Sequence, residues 1–175
     1  MDIGMAGACV GGFLAALVLI NPGPAPKTLP VSAPTPAVVA VATPPVHPRT
    51  LTCLTQAVYY EARGESVQGQ AAVAQVVLNR TRHPAFPASV CGVVFQGVAR
   101  GSCQFSFACD GAMQQGRDDA AWARARLVAQ RALQGYVMVA VGQATNFHAT
   151  RLGQAYDGQL ARVARVGGHI FLAAS

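Results

Sequence analysis

Glutamate and lysine are almost missing from this 175-residue chain: Glu61 and Glu65 are its only glutamates, and Lys27 is its only lysine. Charged residues make up 11% of the sequence, aromatic residues 7%, and Trp122 is the single tryptophan. The arginines form no basic run and do not interleave with aromatics, which argues against a nucleic-acid partner. The cysteines lack the close C-x(2–4)-C pairs of a zinc site, and no motif calls for a metal or an organic cofactor. What is present is a chain that is 52% hydrophobic with a formal charge of +6, and these averages blend three unlike segments.

Residues 3–20, IGMAGACVGGFLAALVLI, carry no charge over 18 positions, which reaches the lower range for a membrane-spanning helix. Residues 1–21 read as a membrane anchor or an export signal; neither a basic start nor an A-x-A site marks a cleaved signal, which favours an uncleaved anchor to the inner membrane. Residues 22–49 are rich in proline and alanine; proline at this density extends the backbone as polyproline II and forms no core. They read as a spacer. Residues 50–175 suffice for one compact domain, expected to be monomeric. That domain holds eleven arginines and no lysine against six acids, a bias suited to an anionic wall polymer or acidic lipid.

Four cysteines, Cys53, Cys91, Cys103 and Cys109, follow the export-type segment and read as two disulfides in an oxidising compartment. Three pairings can be drawn. The short Cys103–Cys109 loop is favoured, with Cys53–Cys91 by elimination. A Cys–His peptidase using Cys103 and His148 would need a free thiol, which four pairable cysteines oppose.

Helical spacing of Leu51, Leu54, Val58 and Ala62 predicts a helix to about Arg63, with Glu61 beside Val58 on the inward face. Gly64 supplies a C′ stop and Ser66 an N-cap for a second helix over 67–82. That helix is apolar nearly all round, as a buried central helix would be. A further helix starts at the N-cap Asp118 and runs to Leu133, and the Gly-punctuated tail predicts a small β-hairpin. The expected fold class is mainly α with a minor β element.

Burying an ionised carboxylate costs several kcal/mol, so Glu61 must be paired or protonated with a raised pKa. Pairing with Arg63 or Arg80 would make it structural. A protonated carboxyl near neutral pH is instead what a glycosidase needs to protonate a leaving oxygen. Glu65 is the second candidate, although the break at Gly64 separates it from Glu61 and suits it to bracing or to the next helix N-terminus. Tyr60 adjoins Glu61 as a candidate cleft wall. Arg63, Asn79 and Arg80 read as supports of the site.

The runs EARGES-VQGQAAVAQVVLNR, FPASVCGVVFQG, CQFSFACDG and GGHIFLA together resemble the SleB/CwlJ type of cell wall hydrolase over nearly all of residues 51–173. That resemblance implies a peptidoglycan-degrading domain, related in fold to lysozymes and lytic transglycosylases, with its catalytic glutamate in the E-A-R-G-E block. It places Gln104, Phe105 and Ser106 near the glycan cleft, and His148 and His169 in a sugar-facing C-terminal region. The sequence departs from the pattern at Asn146, where relatives tend to carry histidine, and at GQAYDG, where Tyr156 replaces a tryptophan. One clear acid favours a lytic transglycosylase cleaving the MurNAc–GlcNAc bond in the periplasm. A muramidase, an amidase and a non-catalytic wall-binding module remain as rivals.

Overall fold

A computed structural model of the chain describes Gly23 and residues 45–174 apart from 137, 155 and 156. The anchor expected at residues 3–20, nearly all of the spacer, and Tyr156 lie outside the described residues. Among the described residues no helix is long and apolar enough to cross a membrane.

Helix α1 spans Pro48–Ala62, three residues earlier than the apolar spacing indicates. Pro48 at its first turn lacks only an N–H that would have no helical partner, and His47 caps by accepting from the Arg49 N–H at 3.2 Å. Leu51, Leu54, Val58 and Ala62 are all buried, as their spacing requires. Helix α2, Val67–Arg82, starts at Ser66, whose Oγ accepts from the Gly69 N–H at 3.3 Å. Gly64 does not adopt the left-handed conformation expected of a C′ glycine. The chain instead turns through an Ala62 carbonyl that accepts from the Glu65 N–H at 2.9 Å.

Helix α2 is buried at every position from Gly69 to Arg80. One of its sides packs with α1, α3 (Val90–Val94) and α4 (Asp119–Leu133) in a cluster that includes Leu54, Val58, Val77, Val93, Ala125 and Ala129. Another carries Ala72, Val73 and Val76 against Val141, Ala144 and Phe171. Asp118 caps α4 by accepting from the Ala121 N–H at 2.7 Å, while Arg124 and Arg131 remain solvated. The 90–94 segment, of undecided type from its sequence, is helical because Ser89 caps it.

The tail makes more than a hairpin. Strands β1 (Asn146–Ala149), β2 (Ala161–Val166) and β3 (His169–Ala173) form an antiparallel sheet in the order β1-β3-β2. Facing residues fall on one side of a sheet, so the rows Phe147–Phe171–Ala164 and Ala149–His169–Val166 share the face toward α2. The row His148–Ile170–Arg165 lies on the opposite face. No short-range signal shows that β1 joins β3 from across a loop; Phe147 packing beside the buried Phe171 does so.

Both expected disulfides are present, Cys53–Cys91 with Cα atoms 5.3 Å apart and Cys103–Cys109 at 6.2 Å. Cys53–Cys91 ties α1 to α3 across 38 positions, and loop-closure entropy assigns such a crosslink about 4 kcal/mol. Replacing Cys53 and Cys91 together by alanine is expected to lower the unfolding free energy by about that amount. Urea titration of the oxidised variant measures it, and a change below about 1 kcal/mol would contradict the crosslink's role.

Candidate active site

The end of α1, the corner that follows it and the turn between β2 and β3 enclose a cavity of about 370 Å³. Its lining includes Glu61, Glu65, Thr150, Arg151, Gly168 and His169. Three of the residues singled out in the sequence, Glu61, Glu65 and His169, therefore meet in one place from positions about a hundred residues apart.

Glu61 projects from the last turn of α1, and among the described residues no ion pair reaches it. Burial pushes its carboxyl above the ordinary carboxylate range, Arg80 opposes that shift and Asp110 adds to it. The Asp110 effect brings the 104–110 loop into the electrostatic surroundings of the acid. Arg80 is itself buried and held on several sides. Its Nε donates to the Thr145 carbonyl at 2.6 Å, its guanidinium lies over the rings of Phe86 and Phe105, and its Nη1 has no hydrogen-bond partner among the described residues. Burial lowers its pKa to about 10 against the opposing influence of Glu61, so it stays cationic at neutral pH.

Glu65 is held quite differently. Both carboxylate oxygens accept from the Gly168 N–H, at 3.1 and 3.2 Å, and His169 Nδ1 lies 3.8 Å from Oε1. Three glycines make room for it. A Cβ on Gly69 would sit 2.8 Å from Glu65 Cβ, one on Gly168 would sit 2.7 Å from Oε1, and one on Gly167 would overlap Oε2. Gly167 also has φ +56°, a conformation that suits glycine. His169 is buried edge-on to Phe147 at 5.3 Å, and burial lowers its pKa against the opposing Glu65 charge.

The remaining candidates are dispersed around this cavity. Tyr60 is half-buried and stacks on Phe107 with centroids 4.7 Å apart, while Tyr59 is 1% exposed and accepts from the Asp118 N–H. Gln104 and Ser106 are exposed on their loop. Phe105 is 3% exposed and packs over Arg80, so it backs the site and offers no free ring face. His148 belongs to the far face of the sheet, where its Nε2 lies 2.8 Å from Asp157 Oδ1 and its Nδ1 3.0 Å from the Ala149 carbonyl. It fastens the loop before β2 and does not line the cavity. Asp157 also accepts from Arg162, and that bond, followed by the one to His148, holds its carboxyl below the usual range.

Asn79 bonds to backbone groups of the segment leading into β1. Its Nδ2 donates to the carbonyls of Gly142 and Ala144 at 2.9 and 2.8 Å, and its Oδ1 accepts from Gln75 Nε2. Arg63 is exposed over the Tyr59 ring. The sequence reading missed Thr150, Arg151 and the two glycines. The Gly167-Gly168 pair before a strand was the available signal, since adjacent glycines permit close approach to backbone. Among the described residues no group of three His, Cys, Asp or Glu side chains is arranged to hold a metal.

A half-buried carboxyl at a helix end, without an ion pair among the described residues, faces a cavity completed by a small antiparallel sheet in a mainly α domain. The family described as Cell Wall Hydrolase matches residues 64–172, and the chain belongs to that family. The match includes Glu65, Gln104, Phe105, Ser106, His148 and His169, and begins just past Glu61. A spore cortex-lytic enzyme of Bacillus subtilis (strain 168) is 59% identical over 46 residues, covering 26% of this chain and 15% of that protein. The spore cortex-lytic enzyme of Halalkalibacterium halodurans is 46% identical over 68 residues, 39% of this chain and 19% of that one. The matches thus span less than a fifth of these relatives.

Solved structures agree over a longer stretch. The catalytic domain of the Bacillus cereus SleB protein superposes with a TM-score of 0.59 at 27% identity, covering 74% of this chain and 94% of that one. The catalytic domain of the germination-specific lytic transglycosylase SleB from Bacillus anthracis gives 0.60 at 26% identity, covering 75% and 100%.

Two outcomes follow for the glutamates. Gly167→Ala should displace the Glu65 carboxylate and strain the turn, lowering stability by about 1–3 kcal/mol; thermal unfolding at equal heat-capacity change checks this, and an unchanged midpoint would contradict the latch. Because the folded pKa of Glu61 is raised, its favourable contribution is complete below the ordinary carboxylate pKa and is lost as pH rises through the folded value. Glu61→Gln, which cannot ionise, should match wild type in acid and become the more stable protein as pH rises; urea titrations across pH measure the difference, and a constant gap would refute it.

Proposed function

We propose that this domain cleaves the MurNAc–GlcNAc bond of peptidoglycan as a lytic transglycosylase, with Glu61 acting first as acid and then as base. The observation that carries the reading is the unequal state of the two glutamates. Glu65 is already occupied by the Gly168 amide, whereas Glu61 is half-buried, raised in pKa by loss of water and without an ion pair among the described residues. The similarity to a protein described as a lytic transglycosylase supports it further.

In this mechanism the protonated Glu61 donates its proton to the glycosidic oxygen as the C1–O bond breaks. The resulting carboxylate then accepts the proton of the muramic acid C6 hydroxyl while that oxygen bonds to C1, leaving a 1,6-anhydro end and restoring the acid. Water is not consumed. Arg80, cationic and behind the site, favours the carboxylate form in the interval between the two proton transfers. Tyr60, Gln104 and Ser106 are assigned to the rim of the glycan cleft, and His169 to orienting Glu65. The domain acts outside the cytoplasm, in the periplasm, held at the inner membrane by residues 3–20.

A hydrolytic muramidase would instead need a second carboxylate at working distance, from Glu65 or Asp110. Glu61→Gln should retain the fold and slow muropeptide release from purified sacculi by about 100-fold or more. Mass spectrometry of the wild-type digest should show anhydro ends. Reducing ends would indicate the muramidase, intact released stem peptides an amidase, and activity surviving Glu61→Gln but lost in Glu65→Gln would reverse the assignment.

A further inference from the structure

Beside the catalytic cavity, on the outer face of the sheet, lies a second groove of about 520 Å³. Thr150 lines both spaces, and its N–H donates to the Gly168 carbonyl at 2.8 Å, which fixes the wall between them to the turn that holds Glu65. Arg165 and Ile170 face each other across β2 and β3 on that outer side, and both line the groove with Gln154.

The charges there are unequal in availability. Arg162 also lines the groove, but its guanidinium is engaged by Asp157, which in turn meets His148. Arg165 is exposed, and among the described residues it has no acidic partner and no carboxylate side chain lines the groove. Arg151, equally unpaired among the described residues, stands on the catalytic side of Thr150. Arg151 and Arg165 thus place one cation on each side of Thr150.

We propose that this groove binds a carboxylate of the stem peptide carried by the muramic acid residue undergoing cleavage, with Arg165 as its principal contact. The proposal rests on the glycan-cleaving reading above. The backbone sugars of peptidoglycan offer hydroxyl and acetamido groups, and the lactyl carboxyl is consumed in the amide bond to the peptide; free carboxylates belong to the stem. The stem also branches from the sugar whose C1 is attacked, so its anionic groups fall close to the cavity. A guanidinium presents paired N–H donors that match a carboxylate, and the Thr150 hydroxyl and Gln154 amide can complete its hydrogen bonds. Arg165 therefore sets a preference for glycan that still carries its peptides, without taking part in the bond-breaking step.

The test compares full-length wild type, Arg165→Met and Arg165→Lys on two substrates: glycan strands bearing stem peptides, and the same strands stripped by an amidase. Arg165→Met should raise KM about tenfold on stem-bearing strands with kcat unchanged. On stripped strands it should equal wild type. Arg165→Lys, which keeps the charge but not the planar fork, should recover part of the loss. Calorimetric titration with isolated stem peptide is run in parallel and should show binding to wild type that is weakened in Arg165→Met. An unchanged KM on stem-bearing strands, or an equal loss on both substrates, would overturn the proposal. If wild type cleaves neither strand, the glycan-cleaving reading fails by itself, and the peptide titration alone decides whether the groove binds a stem. Arg165 is exposed on an edge strand, and circular dichroism verifies that both variants are folded.

Discussion

Helix α2 is enclosed by protein along twelve consecutive positions; besides Gln70, whose Nε2 donates to the Glu65 carbonyl, three of them, Gln75, Asn79 and Arg80, carry polar side chains that need partners. They find them in one segment. Gln75 accepts from the Met138 N–H, Asn79 donates to the carbonyls of Gly142 and Ala144, and Arg80 donates to that of Thr145. Satisfying the helix thereby places the chain leading into β1, and β1 pairs with β3. The turn before β3 then arrives at the end of α1, where Gly168 meets Glu65. The geometry of the cavity is thus a consequence of hydrogen-bond satisfaction in a helix that does not itself line it.

The two glutamates sit in unlike surroundings. A carboxylate that accepts backbone N–H bonds is stabilised in its charged form; one that loses water without gaining donors is not. Glu65 accepts from the Gly168 N–H, whereas Glu61 has the second environment, although they are four positions apart and both line one cavity. Arg80 prevents the second environment from becoming prohibitive, since a nearby cation limits the cost of the charged state that an acid must pass through.

Much of the helical half was legible. The apolar spacing of α1, the Ser66 and Asp118 caps, the all-round burial of α2 and the inward position of Glu61 all follow from interactions within a few residues along the chain. The roles of His148 and Phe105 were not. Both carry chemistry suited to sugar binding, but His148 is turned to the outer face by its strand register with Ile170, and Phe105 is drawn inward over Arg80. A one-residue alternation in a strand decides which face a side chain occupies, and the pairing that sets it comes from distant chain.

Local pattern alone therefore determined that a rare glutamate would end a buried helix, that a glycine-marked corner would separate it from its neighbour, and that a second helix would fill the centre. Those are short-range consequences of periodicity, capping and the cost of burying charge. Only the tertiary structure decided which glutamate is latched and which is not, because the latch is the backbone amide of Gly168, 103 residues away in sequence. No side-chain pattern near Glu65 encodes that amide. It is supplied by a sheet that packing against α2 brings into place.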